Sequence, residues 1–223
     1  MSRVIVIEFV SIDGVMQDPD GREGFDRGGW AFRYGPEAVA GDKFKLGELF
    51  DTGALLVGRR TWQLFAQIWP SRDDAFSTKM NTIPKLVASR TLTDLDEWQN
   101  SSLLQRDLLA EVAARKATQD LIVVGSASVA KTLIAHNLVD EFRLLVFPLV
   151  IAGGTRLFED GTPVELRLIS TEQAGAAALL IYQRASAAQN ARRLRTAEGE
   201  PRTRARLSYG VPRNASTSPA NSA

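Results

Sequence analysis

The sequence predicts an α/β fold: a mixed, mostly parallel sheet flanked by helices, with an antiparallel C-terminal end. Three observations predict it. Apolar, β-branched runs alternate with helical spacing through most of the chain, as parallel strands joined by helices require. Two of these runs, at 54–58 and 121–125, end in glycine directly before a helix start. The last two runs, at 164–170 and 177–183, have about six residues and no helix between them, which suggests an antiparallel pair.

The elements follow in order. Residues 3–10, RVIVIEFV, are β-rich and apolar and read as a central strand. S-I-D-G at 11–14 is a turn with Asp13 at its centre. Residues 17–29 are rich in Asp, Gly and Arg, cannot bury much, and read as a mobile loop. Its aromatic end, Trp30, Phe32 and Tyr34, suits a flat surface. Pro36 opens a helix carrying Val39, Phe44, Leu46, Leu49 and Phe50, with Asp42 inside it. Residues 54–57 form a strand ended by Gly58, and GRRTW starts a helix that runs to about Ile68. Residues 84–89, PKLVAS, form a third strand, followed by Arg90 and Thr91. An amphipathic helix over 103–116 carries Leu104, Leu108, Val112 and Arg115. Residues 121–124 are a buried strand, and from Ala127 the spacing turns helical, with Val129, Leu133 and Ile134 on one face. Residues 139–147 are a further strand ending at Pro148, and I-A-G-G at 151–154 is a turn.

Composition excludes several chemistries. The 223 residues hold one sizeable core, or one core plus a tail. There is no cysteine, so disulfides, thiol catalysis and thiolate zinc are absent. A single histidine, His136, argues against a histidine metal cluster or a Ser-His-Asp triad and suits a helix C-terminus. No apolar run approaches a membrane span, and no signal-peptide pattern opens the chain, so a cytoplasmic protein is the default. The whole chain carries +1, yet residues 186–223 hold seven Arg and two Glu and almost no large apolar side chains. The division expected is a domain over 1–185 and a disordered, Arg-rich tail over 186–223. The arginines are dispersed and lack interleaved aromatics, so no nucleic-acid partner is expected. Ending the chain after Ala185 should leave melting temperature and cofactor affinity unchanged.

The organising stretch is 121–136, LIVVGSASVAKTLIAH. A strand, a Gly turn and a helix start present unpaired N–H groups and the positive end of a helix dipole, an anion site. Gly125, Lys131 and Thr132 nearly complete a P-loop, but Ala130 stands where its second glycine is needed. Only Gly125 fits the dinucleotide fingerprint G-x-G-x-x-G. An ordinary buried strand and helix is the plain alternative. GRRTW adds weight to a nucleotide. Two arginines at a helix start are unfavourable to the dipole unless an anion compensates, and Thr61 adds a hydroxyl. Arg59 and Arg60 pointing simply to solvent is the competing reading.

In these pieces the chain resembles the dihydrofolate reductase superfamily, and within it the C-terminal reductase domain of bacterial riboflavin biosynthesis. The matching pieces are S-I-D-G, GRRTW, ASR after the third strand, LIVVGSASVAKTLI, and LVDEFRLLVFPLVIAGGTRLF, in the family's order over about 3–185. The resemblance implies a dihydrofolate reductase-like mixed sheet of about eight strands and NADPH as cofactor. It implies that Gly58, Arg59, Arg60 and Thr61 face the cofactor phosphates. Ser89 and Arg90 would lie near the adenosine 2′-phosphate. Gly125, Ser126, Ala127 and Ser128 would form the turn at the pyrophosphate and nicotinamide. Met16 would cover the nicotinamide, Asp13 would lie beside the substrate, and Asp42 matches the substrate carboxylate of true folate reductases.

Two departures stand out. The usual Gly-Gly of the turn is Gly125-Ser126 here, and residues 17–36 do not resemble the Trp-containing loop of folate reductases. Unlike many bifunctional relatives, this chain is not expected to carry a zinc deaminase domain before the reductase stretch. Two classes of function follow: an NADPH-dependent reductase of a pyrimidine or pterin-type small molecule, or a non-catalytic NADP(H)-binding protein of the same fold. A homodimer stays open. For the riboflavin-type reaction, Arg156 near the Gly153–Gly154 turn is expected to help hold a phosphate. Asp13→Asn is then expected to cost more turnover than Asp42→Asn.

Overall fold

The computed structural model describes residues 2–159, 161 and 163–185; the expectations for residues 186–223 lie outside the described residues. The strands are β1 (Val4–Ser11), β2 (Ala54–Gly58), β3 (Lys85–Ala88), β4 (Ser101–Leu103), β5 (Leu121–Val124), β6 (Glu141–Phe147), β7 (Leu166–Ala174) and β8 (Ala177–Arg184). They make one eight-stranded sheet in the order β4-β3-β2-β5-β1-β6-β8-β7. The first six run parallel, and β8 returns antiparallel on β6 with β7 antiparallel on β8. This is the mixed, mostly parallel sheet expected.

Period-two alternation in β1 sets the two faces of the sheet. Val4, Val6 and Val10 join one buried cluster, with Val123, Phe142 and Leu144. Ile5 and Ile7 join another, with Leu55, Val57, Ile122 and Val87. Each β-branched run is therefore buried on both faces, as a parallel strand covered by helices must be. Helix α6 (Ala127–Ala135) covers the first face through Val129, Ala130, Leu133 and Ile134. Helix α3 (Arg59–Ala66) covers the second through Trp62 and Ala66. His136 closes α6 as its C-cap, with Nδ1 2.9 Å from the Thr132 carbonyl.

Several elements differ from expectation. The single helix expected from Pro36 is two short pieces, α1 (Pro36–Val39) and α2 (Leu49–Thr52). Gly41, Lys45 and Gly47 between them take positive φ, which ends regular helix. Helix α4 (Ala75–Thr82) lacks a clear apolar period; the Asp74 carboxylate starts it by accepting from the Phe76 and Ser77 amides. Strand β4 is three residues of mostly polar sequence. Helix α5 (Leu108–Arg115) starts later than expected because Asp107 caps it. The final hairpin is tighter than expected, with Gly175 at φ +58 between β7 and β8.

The loop at 17–29 is the largest correction. Its Asp18 is buried, and the carboxylate accepts from the Glu23 and Phe25 amides at 2.9 Å each. A Cβ on Gly28 would sit 2.3 Å from Asp18 Oδ2, so glycine is required there for space. Trp30 is fully buried, edge-on to Phe147 at 5.5 Å, and its indole N–H donates to the Gln17 carbonyl. The loop is thus pinned at both ends, although its composition is polar.

Candidate functional site

The crevice arises from strand lengths and from helix direction. Strands β2 and β5 are neighbours, and the helices that follow them leave toward opposite faces of the sheet. A gap between such strands at their C-terminal ends is where parallel α/β sheets bind ligands. In addition, β5 stops pairing at Ile7↔Val124 while β1 continues to Ser11 alongside β6. The result is a cleft of about 1390 Å³ across the ends of β1, β2, β3 and β5.

Gly58, Arg59, Arg60, Thr61, Ser89, Arg90, Gly125, Ser126, Ala127, Ser128 and Met16 all line this cleft. The two turns are stitched together across it. The Gly58 amide donates to Ser126 Oγ at 2.6 Å, and the Ser126 amide donates to Thr61 Oγ1 at 2.8 Å. Ser126 sits left-handed, φ 46 and ψ 58, directly after Gly125 at φ +60. The serine therefore holds the backbone shape a second glycine would take, and its hydroxyl occupies the Gly58 amide. Strain of about 1–2 kcal/mol at such a residue is offset by a bond that glycine could not make.

Cations ring the crevice. Arg59 donates to Thr91 Oγ1 at 3.0 Å, which fixes one guanidinium beside the end of β3. Ser89 Oγ accepts from the Thr91 and Leu92 amides and shapes that turn. Arg60 and Arg90 form no ion pair among the described residues. The N-terminus of the nine-residue α6 adds its dipole. These groups fit the phosphates of a dinucleotide: planar forks for anions, free backbone donors, and a turn too tight for extra side chain. Lys131, the residue on which a P-loop reading depends, instead pairs with Glu159 at 2.5 Å and does not line the cleft.

The other arm of the cleft is aromatic. Phe65 meets Trp69 edge-on at 5.8 Å, Trp69 meets Phe76 at 5.6 Å, and Phe9 stacks on Phe44 at 5.4 Å. All five line the cleft, with Leu64 and Ile68 beside them. Such walls take the faces of a flat ring. Trp69 Nε1 is buried there without a hydrogen-bond partner. Sequence reading left this arm out; the apolar spacing of α3 was its one signal.

The two carboxylates singled out from sequence are not among the residues lining the cleft. Asp13 accepts from Ser11 Oγ at 2.7 Å and from the Ile151 and Ala152 amides at 3.0 and 2.9 Å. The Arg156 guanidinium donates from Nε to the Asp13 carbonyl, which ties Arg156 to this turn and leaves it, too, off the cleft lining. Asp42 accepts from the Leu46 and Gly47 amides at 2.8 Å each, and it lies in an irregular turn outside any helix. The Ser11 hydroxyl, with help from the Ile151 and Ala152 amides, lowers the Asp13 carboxyl to about 2. A carboxylate lowered in this way supports the fold above its unfolded value of 3.8 and loses that support as pH falls through about 2. Asp13→Asn at neutral pH is expected to speed hydrogen exchange at the Ile151 and Ala152 amides. Unchanged exchange there would show that these bonds do not hold the loop.

Of the five carboxyls that do line the cleft, those of Glu8, Asp18, Asp20, Glu23 and Asp107, sequence reading passed over the one set in a strand, Glu8. Glu8, in the middle of β1, is 5 % exposed, and its Oε1 is buried with no hydrogen-bond partner. Burial pushes its carboxyl well above the usual range, and the charge of Glu23 adds to the shift. Its one signal in the sequence was an acid inside the apolar run VIVIEFV. Among the described residues no cluster suited to a metal ion occurs, and no helix is long and apolar enough to cross a membrane.

Comparison with known proteins agrees with this architecture. Residues 2–180 match the family model described as RibD C-terminal domain. The uncharacterized protein YyaP of Bacillus subtilis (strain 168) is 31% identical over 125 residues, which span 52% of this chain and 65% of that relative. Among solved structures, a Shewanella sp. PV-4 protein provisionally assigned to riboflavin biosynthesis aligns with TM-score 0.64 at 20% identity, covering 82% of this chain and 99% of the other. A bifunctional diaminohydroxyphosphoribosylaminopyrimidine deaminase and 5-amino-6-(5-phosphoribosylamino)uracil reductase of Thermotoga maritima aligns with TM-score 0.52 at 12% identity, covering 82% and 57%. At these identities the structures show a shared fold. By the match along nearly the whole described region, the chain belongs to the RibD C-terminal domain family, a reductase family within the dihydrofolate reductase-like fold.

Proposed function

We propose that this chain is an NADPH-dependent reductase of a flat, nitrogen-containing ring, a pyrimidine or pterin-type small molecule. The observation that carries the reading is the crevice between β2 and β5. There Gly58, Thr61 and Ser126 lock two turns together beneath Arg59, Arg60 and Arg90, and an aromatic arm opens from the same cleft. When bound, NADPH supplies a hydride from the nicotinamide ring. The chain's own residues do the rest. The arginines and α6 hold the phosphates, Met16 covers the ring, and Phe65, Trp69 and Phe76 shelter the acceptor from water.

The phosphoribosylamino-uracil that the Thermotoga relative is named for reducing is the first substrate to test, and dihydrofolate is the second. A protein that binds NADP(H) without turnover is the competing reading, and NADPH oxidation on adding either substrate separates the two. We assign the activity to a domain over 1–185.

The cofactor test is direct. Three guanidinium groups at strand ends favour the extra 2′-phosphate, so NADPH is expected to bind at least tenfold more tightly than NADH, about 1.4 kcal/mol. Titration by cofactor fluorescence measures this, and equal affinities would remove the assignment. Arg90→Ala is expected to erase most of the preference while leaving NADH binding nearly unchanged.

A further inference from the structure

We propose that Glu8 is the group that hydrogen-bonds and protonates the acceptor atom of the substrate, from the floor of the cleft where β5 leaves β1. The inference rests on the reductase reading and adds to it the residue that handles the proton. Glu8 shares its face of β1 with Val6 and Val10. Met16 and Val129, buried on that face, also line the cleft. Glu8 pairs through β6 with Leu144, while on the other side β5 has already turned away at Gly125. A carboxyl among valines with an unpartnered oxygen is a cost to folding, and native structures rarely carry one without a use. Neither Arg59 nor Arg60 bonds to it; burial raises its carboxyl well above the usual range, and the charge of Glu23 adds to that. A neutral carboxyl donates, which a carboxylate cannot.

The balance of the step is simple. A hydride adds to the carbon of a C=N or C=O bond, and the π electron pair moves to the heteroatom. That atom takes the Glu8 proton, Glu8 is left as carboxylate, and solvent returns the proton after product leaves. The reaction consumes one reduced cofactor and one proton. Asp13 and Asp42 do not serve, because their oxygens are engaged by backbone amides outside the cleft lining.

The test uses the full chain with Glu8→Gln, Glu8→Met and Glu23→Gln. Glu8→Met removes an unpartnered buried carboxyl, so its melting temperature at pH 7 is expected to rise above that of the wild type. NADPH oxidation is followed with two probes, dihydrofolate and 5-amino-6-ribosylaminouracil phosphate. Loss of a general acid is expected to lower kcat by about a hundredfold or more, with NADPH affinity kept. The wild-type rate should fall as pH rises through the Glu8 transition. In Glu23→Gln that limb should move part of the way to lower pH, because the charge that adds to the effect of burial is gone while burial remains.

A Glu8→Gln rate close to wild type overturns the role of Glu8 and leaves the reductase reading standing. Failure of the wild type to bind NADPH removes that reading itself. If neither probe is consumed, the stability arm still decides: a Glu8→Met protein less stable than the wild type makes Glu8 a structural residue and ends the proposal.

Discussion

Replacing Gly125 with valine is expected to destabilise the protein by about 3 kcal/mol and to weaken NADPH binding by about a hundredfold. Gly125 sits at φ +60, and a Cβ there would lie 2.8 Å from Thr61 Cγ2 and 3.1 Å from Thr61 Oγ1. A β-branched residue resists the left-handed conformation more than most. Thr61 cannot simply step aside. It is buried, and its hydroxyl holds the Ser126 amide at 2.8 Å. Moving Thr61 unpairs Ser126, and Ser126 in turn holds Gly58. One added side chain therefore opens both turns of the crevice proposed to hold the phosphates. Gly58→Ala is the control. Its Cβ would meet Ser126 Oγ at 3.5 Å, ordinary contact, and its φ of −84 suits any residue. Urea unfolding and cofactor fluorescence on both variants measure the contrast. A Gly125→Val protein that unfolds and binds like the wild type would show that the stitched turns do not shape the site.

Much of this arrangement was legible in the sequence. The runs 54–58 and 121–125 announce strand, glycine and helix because a buried parallel strand is apolar throughout and its turn needs small residues. The polar arm proposed for the cofactor, from Gly58 to Ser128, follows from those runs because strand ends place it. The aromatic arm does not. Phe44, Phe65, Trp69 and Phe76 come from three separated stretches, which the fold brings to one cleft. Asp13 and Asp42 stood out through the family resemblance, one at the centre of a turn and one in an expected helix. In the fold each satisfies backbone amides, the commoner use of a turn aspartate. Glu8 was hidden, since its neighbours mark it as core. The loop at 17–29 misled through its composition: Asp18 buries itself by replacing missing backbone partners, which hydropathy does not register.

Removing the Lys85 side chain, as Lys85→Ala, is expected to cost about 2–4 kcal/mol at pH 7. The lysine lies in β3, fully buried, where the sequence PKLVAS gave no sign of a special role. Its Nζ donates to the Asn81 carbonyl at 2.5 Å and to the Gln99 carbonyl at 3.0 Å, and lies 4.4 Å from the Trp98 ring centroid. Asn81 extends the network, accepting from Trp98 Nε1 and donating to the Trp69 carbonyl behind the aromatic arm. Truncation leaves a cavity, removes the lysine donor from the Gln99 carbonyl, and leaves the Asn81 carbonyl only the Asn100 side-chain amide at 3.4 Å. Lys85→Met keeps most of the volume but not the donors, so it should recover only part of the loss. Burial pulls the Lys85 ammonium down to about 8 from 10.5. Below pH 8 both folded and unfolded chains hold the proton. Between about 8 and 10.5 the unfolded chain binds more protons than the folded one, so the stability of the wild type gains with pH across that window. Lys85→Met lacks this titration, and groups common to both proteins cancel in the comparison. The stability gap in favour of the wild type should therefore widen from pH 7 to pH 10, still with a neutral amine donating to the two carbonyls. A gap that stays flat, or a Lys85→Met protein as stable as the wild type at pH 7, would mean that the Lys85 amine is not what ties α4 to the segment leading into β4.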